Sequence, residues 1–198
     1  MTEAWLEHLA GAISKRARRQ DTRPRYAAVL VPIVWVEGEL SLLLTRRTER
    51  LSTHKGHVAF PGGRADETDQ DAQATALREA HEEVGLPSHH VSILGQLDDF
   101  PTVTDDMIVT PVVGYIETLP TLVPNQVKVA RIFTIPISAL LKPERWVTKY
   151  WDKQGLSYPV YYFDWDGETL WGLSAYITLQ LLALSLDGGP IRLPKPYG

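Results

Sequence analysis

Residues 60–86 read FPGGRADETDQDAQATALREAHEEVGL, and the rest of the chain is organised around them. The second half of this stretch carries the marks of a helix. Ala72, Ala74, Ala76, Leu77 and Ala80 favour helix, and no proline interrupts them. Asp66, Glu67, Asp69 and Asp71 crowd the expected N-terminal end, where negative charge suits the helix dipole. Gly85 stands where a left-handed C-terminal cap is wanted. At about 100° per residue, Leu77, Ala80 and Val84 share one face, and Glu79, Glu82 and Glu83 share roughly the opposite one. One face is expected to pack and the other to present three carboxylates within one turn.

Such crowding of charge needs an answer. Glu79–Glu82 and Glu79–Glu83 are like-charge pairs at i,i+3 and i,i+4, each costing about 0.2–0.5 kcal/mol on an exposed helix. Arg78, four residues before Glu82, offsets part of this. A hard divalent cation offsets far more, since Mg²⁺ prefers carboxylate oxygens and keeps water and substrate phosphates as its other ligands. The plain alternative is a solvated acidic face. Against it stands the Gly62-Gly63 pair just before the helix, where bare backbone can approach a metal or a phosphate.

Gly62-Gly63, a spacer of about fifteen residues and Arg78-Glu79-Ala80-His81-Glu82-Glu83-Val84-Gly85-Leu86 together resemble the Nudix box, the loop–helix–loop signature of the Nudix hydrolases. The second half, RE(small)xEExG(aliphatic), matches throughout. The first half departs from the pattern: Gln70 stands where the family has a Glu, and Asp66, Glu67 or Asp69 is left to supply that early acid. The resemblance implies an α+β fold, the Nudix α/β/α sandwich with a central mixed sheet. It also implies hydrolysis of a pyrophosphate that joins a nucleoside to another group. Mg²⁺ or Mn²⁺ would be held by Glu79, Glu82 and Glu83 with the Gly63 carbonyl. Glu79 serves as base or ligand in this scheme, oriented by Arg78, while Glu82 and Glu83 are the firmer ligands.

Between residues 45 and 60 the chain turns cationic and leads directly into the glycines, as a phosphate-rich substrate beside an acidic metal face would require. The run Leu43-Leu44-Thr45-Arg46-Arg47, then Lys55-Gly56, then Val58-Ala59-Phe60-Pro61-Gly62-Gly63 resembles the extra signature of the coenzyme A pyrophosphatase branch. Thr48 and Ser52 depart from it, the first standing for a small residue and the second for an Arg that Arg50 is close enough to replace. Val109–Gly114, VTPVVG, extends the likeness to about residue 116. This implies coenzyme A or an acyl-CoA as substrate, with 3′,5′-ADP and 4′-phosphopantetheine as products. Arg46, Arg47, Lys55 and Gly62 are then the expected substrate contacts. ADP-ribose, NADH and dinucleoside polyphosphates stay open as alternatives, as does a non-catalytic nucleotide-binding module. Asp105, Asp106 or Glu117 is a further candidate to add a carboxylate to the metal cluster or act as base, with turn chemistry or surface the favoured reading of each.

At 198 residues and 44% hydrophobic content, one domain spanning 1–198 is expected, with an N-terminal helix within 1–22 and a tail from 190 to 198. A net charge of −4 argues against nucleic acid or a membrane surface as partner. Without cysteine there is no disulfide, thiol nucleophile or Cys-based zinc site. No signal peptide and no apolar run of about eighteen residues is seen, so the expected compartment is the cytoplasm. A homodimer is left open.

In chain order, Glu3–Arg19 is expected to be an amphipathic helix with a basic tail, Lys15 to Arg19, read as solvated surface. Tyr26–Val36 and Leu40–Thr45 are expected strands around a tight turn, with Pro32 marking an edge, bulge or break. Val91–Leu97, Met107–Ile116, Arg131–Ile135, Trp146–Trp151 and Tyr158–Trp165 are further strands, with a turn at Asp166-Gly167. A short helix is expected at Pro136–Leu141 and an apolar one at Leu173–Leu186. None of His8, His81, His89 and His90 has the spacing of a metal ligand.

Overall fold

The computed structural model describes residues 3–21, 26–49, 56–102, 107–153, 155–185 and 189–193. Along the chain run α1 (Glu3–Lys15), β1 (Tyr26–Val36), β2 (Glu39–Arg47), β3 (Val58–Ala59), β4 (Gly62–Arg64) and α2 (Ala72–Val84). Then follow β5 (Ser92–Gln96), β6 (Phe100–Pro101), β7 (Ile108–Ile116), β8 (Val129–Pro136) and α3 (Ile137–Leu140). Last come β9 (Trp146–Lys153), β10 (Leu156–Trp165), β11 (Glu168–Trp171) and α4 (Gly172–Ala183).

The central sheet has eight strands and is mixed. Its main order is β3-β2-β1-β7-β5, with β1 and β7 parallel and the other pairs antiparallel. β1 is the axis. One of its edges pairs with β7 from Tyr26 to Val34; the other pairs with β4 at Ala27–Val29 and with β2 at Ile33–Val36. Pro32 falls between these last two partners, where no ladder bond is needed from its missing N–H. The proline therefore marks a change of partner in a continuous central strand. It does not mark a strand end.

Alternation along β1 feeds two cores. Ala28, Leu30 and Val34 pack with Ala76, Ala80 and Val84 of α2 on one face. Val31 and Ile33 pack on the other face with Trp5, Leu9 and Ile13 of α1 and with Ile177, Leu179 and Leu181 of α4. Each fully buried aliphatic side chain contributes about 1.5–3 kcal/mol, so both cores matter to stability. The antiparallel meander β9–β10–β11 is a separate sheet. Its Trp146, Tyr161, Phe163 and Leu170 join the α4 side. This is the expected α+β sandwich, with α2 on one face and the C-terminal helix on the other. Among the described residues, no helix is long and apolar enough to cross a membrane.

Most element ends differ from the sequence reading by a few residues, and at the two ends of the chain the difference has a plain physical reason. α1 ends at Lys15, because the basic residues after it leave the helix to answer two buried carboxylates. Arg16 pairs with Asp98 at 2.8 Å and Arg18 with Asp99 at 3.1 Å, while the Arg19 and Asp21 backbone amides donate to the same carboxylates at 2.8 Å. Thr110 Oγ1 and Gln180 Nε2 complete the clamp. Thus Arg16 and Arg18 of the basic tail form a structural tie, while Lys15 and Arg19 stay exposed as a solvated run would. At the other end, Ile191 and Leu193 pack against the core, so residues 191–193 of the expected tail belong to the packed fold.

Asp99→Ala is expected to lower unfolding free energy by about 1.5–3 kcal/mol, since charge-assisted bonds are lost and buried donors stranded. Denaturant titration checks the magnitude. Faster proteolysis near residues 16–21, ahead of global unfolding, checks the location.

Candidate active site

α2 starts and stops as its sequence dictates. Asp71 caps it, its side chain accepting from the Ala74 amide at 2.8 Å, and Gly85 closes it at φ 69°. The helix is rotated so that Thr75, Ala76, Glu79, Ala80, Glu83 and Val84 are buried. The three glutamates therefore do not share one exposed face. Glu79 and Glu83 are 7% and 4% exposed, whereas the Glu82 side chain is 46% exposed.

The buried pair faces β4. Ala28 and Val29 of β1 lie opposite Gly63 and Gly62, and a Cβ on Gly62 would sit 2.4 Å from the Ala28 carbonyl oxygen. A Cβ on Gly63 would stand 2.5 Å from the Glu79 carboxylate carbon. Both glycines thus let helix carboxylates and strand backbone meet without a side chain between them. The Gly62 amide donates to Glu83 Oε2 at 3.2 Å. Burial pushes the Glu83 carboxyl above its ordinary range, partly offset by that amide and by the positive charges of Arg47 and Lys128.

Arg78 is held on several sides. It donates to Asp69 at 2.8 Å, to Glu79 Oε1 at 3.0 Å, to Glu82 Oε1 at 3.1 Å and to the Arg64 carbonyl at 3.0 Å. Of the three early acids left open by the sequence, Asp69 is the one that meets Arg78. The guanidinium holds the Asp69 carboxyl far below the ordinary carboxylate range, and the Asp66 amide and Thr75 hydroxyl help. Asp66 instead caps its own turn through Thr68.

The cations expected to meet substrate are divided. Arg47 Nη1 lies 4.0 Å from Glu83 Oε1, beside the buried pair. Arg46 does not join it. Neighbouring strand residues point to opposite faces, and Arg46 turns to Glu168 of β11 at 3.6 Å, a carboxylate that also accepts from Arg131. Lys55, Arg50, Asp105 and Asp106 lie outside the described residues, and Glu117 is exposed beyond the end of β7. One participant had no signal in the sequence. Lys128 Nζ lies 3.4 Å from Glu79 Oε2 and 3.8 Å from Glu82 Oε2, across 49 positions from Glu79.

Among the described residues, no three His, Cys, Asp or Glu side chains converge closely enough to hold a metal ion as they stand. The donor chemistry nevertheless fits a hard divalent cation. Glu79, Glu82 and Glu83 offer carboxylate oxygens, and the bare backbone of Gly63 lets the Glu79 carboxylate lie directly against it.

Residues 24–152 match the NUDIX domain. An uncharacterized Nudix hydrolase, NudL, from Photorhabdus laumondii is 40% identical over 164 residues, covering 83% of this chain and 87% of its own. The chain belongs to the Nudix family. A second NudL, also uncharacterized, from Yersinia enterocolitica is 42% identical over 159 residues, covering 79% of each chain. The crystal structure of a MutT/nudix family protein from Enterococcus faecalis superposes with a TM-score of 0.55 at 16% identity. It covers 92% of this chain and 68% of that one, a likeness of fold. The protein is thus a Nudix hydrolase, a pyrophosphohydrolase of nucleotide derivatives, and enzymes of this family generally use divalent metal ions.

Asp69→Asn is expected to destabilise the fold at pH 7. A carboxyl whose folded-state pKa is depressed contributes stability above its ordinary value of 3.8, and that contribution is lost as pH falls through the folded value. The gap between wild type and variant should therefore be constant from pH 5 upwards and shrink below about pH 4. Denaturant midpoints at pH 7, 5 and 3 check both sign and window.

Proposed function

We propose that this Nudix hydrolase cleaves the pyrophosphate bond of coenzyme A or an acyl-CoA, releasing 3′,5′-ADP and 4′-phosphopantetheine or its acyl form. The observation that carries this reading is the signature-like run from Leu43 through Arg47 and on to Val58–Gly63, which delivers Arg47 and the two glycines to Glu79 and Glu83. The VTPVVG segment of β7, parallel to β1, supports it from sequence. We place the reaction in the cytoplasm, in keeping with an acidic chain that has no cysteine.

Held by Glu79, Glu82 and Glu83 with the Gly63 carbonyl, Mg²⁺ or Mn²⁺ would neutralise diphosphate charge and make a bound water more acidic. The chain's own groups do the rest. Arg78, fixed by Asp69, holds Glu79 in place. Both Glu79 oxygens face cations, Oε1 towards Arg78 and Oε2 towards Lys128. Glu83 is anchored through Oε2 by the Gly62 amide, which leaves Oε1 turned towards Arg47 at 4.0 Å. Arg47 contacts a substrate phosphate oxygen, and Lys55, outside the described residues, is the second cation proposed for that role from sequence. Arg46 contributes less, being committed to Glu168.

Glu83→Gln is expected to lower kcat by about 10²–10⁴-fold with an unchanged far-UV circular dichroism spectrum. Near-normal turnover would remove Glu83 from the mechanism. Substrate choice is tested by a panel of coenzyme A, ADP-ribose, NADH and a dinucleoside polyphosphate with Mg²⁺ and Mn²⁺, with products identified. The highest kcat/KM for coenzyme A, with 3′,5′-ADP as product, is expected; a preference for ADP-ribose would overturn the assignment.

A further inference from the structure

Lys128 is placed with care for a side chain that no motif contains. It ends the segment between β7 and β8, and that segment is pinned along its length. The Val123 amide donates to the Val84 carbonyl at 2.9 Å and the Asn125 amide to the Glu83 carbonyl at 2.8 Å, both on the last turn of α2. The Lys128 amide donates to Asn125 at 2.9 Å, and its carbonyl accepts from the Thr48 amide at 3.0 Å. With its backbone fixed at both ends, the ammonium is delivered between Glu79 and Glu82.

The other cations of the site differ from it. Arg78 cannot leave without abandoning Asp69 and the Arg64 carbonyl as well as the glutamates. Arg47 stands off Glu83 at 4.0 Å. Lys128 has its ion pairs with Glu79 and Glu82 alone among the described residues, and its side chain is 35% exposed. A compact, flexible ammonium of this kind exchanges more readily than a forked guanidinium.

We propose that Lys128 is an exchangeable internal counter-ion that occupies a cation position between Glu79 and Glu82 until a divalent ion displaces it. The inference rests on the assignment of these glutamates as metal-holding residues. Lys128 then sets metal affinity: it stabilises the metal-free cluster and competes with the metal for the same oxygens. Two partly exposed ion pairs supply a competition of about 2–30-fold in Kd.

The test is Mn²⁺ titration, by calorimetry or by the loss of free-ion paramagnetic resonance signal, of wild type, Lys128→Met and Lys128→Arg, together with melting in EDTA and in Mn²⁺. Lys128→Met is expected to bind Mn²⁺ about 2–30-fold more tightly. It should melt below wild type in EDTA and at or above it in Mn²⁺, whereas Lys128→Arg should stay near wild type. An unchanged or weaker Mn²⁺ affinity in Lys128→Met overturns the inference and leaves the metal assignment standing. So does a Tm lowered equally in EDTA and Mn²⁺, the mark of a merely structural lysine. Absence of Mn²⁺ binding in wild type and variants alike removes the metal assignment, and this inference with it.

Discussion

Two carboxylates one helical turn apart, Glu79 and Glu83, are pressed against the bare backbone of Gly62 and Gly63. An uncompensated buried carboxylate costs several kcal/mol, so the surrounding structure has to answer that charge. It does so with groups from different parts of the chain: Arg78 from the same helix, the Gly62 amide from β4, Arg47 from β2 and Lys128 from the segment before β8. Each must arrive within about 4 Å to matter, which ties the register of β2 and β4 and the path of the segment before β8 to one turn of α2. A divalent cation bound at the same oxygens belongs to the same electrostatic account, adding charge where the chain has already gathered it.

The two faces of the sheet divide the labour. On the α2 side the core is built from small and branched residues, Ala28, Ala76, Ala80, Val34 and Val84, which brings the helix close to β1 and hence to β4. On the opposite side, α1, α4 and the meander supply the large aromatic and aliphatic core. The second face is locked by charge as well as by apolar contact. Asp98 and Asp99 hold the segment after α1, and Glu168 joins Arg46 and Arg131 across the two sheets. This rigidity behind β1 and β2 keeps Arg47 and the glycines in position on the working face.

Much of this was legible from residues alone, and the reasons are local. The α2 helix, its left-handed cap at Gly85, the strands on either side of Glu37-Gly38 and the turn at Asp166-Gly167 depend on short-range pattern, and all form as expected. What escaped is what depends on rotation and on distance. Helical periodicity grouped three glutamates on one face, but packing on β1 and β4 turned two inward and left Glu82 outside. Strand alternation separates Arg46 from Arg47, yet only the placement of β11 shows where Arg46 goes. Asp69 was one of three candidates until the loop before α2 brought it to Arg78. Lys128 carried no signal, since its partner Glu79 lies 49 positions away.

The central claim is that the turn holding Glu79, Glu82 and Glu83, with Gly63 opposite, grips a hard cation. Anomalous scattering from crystals soaked in Mn²⁺ tests it most directly. The account predicts a manganese peak within coordinating distance of these carboxylates and the Gly63 carbonyl oxygen, with Lys128 displaced from Glu79. A map without a peak there, with Arg78 and Lys128 still paired to the glutamates at saturating Mn²⁺, would contradict it.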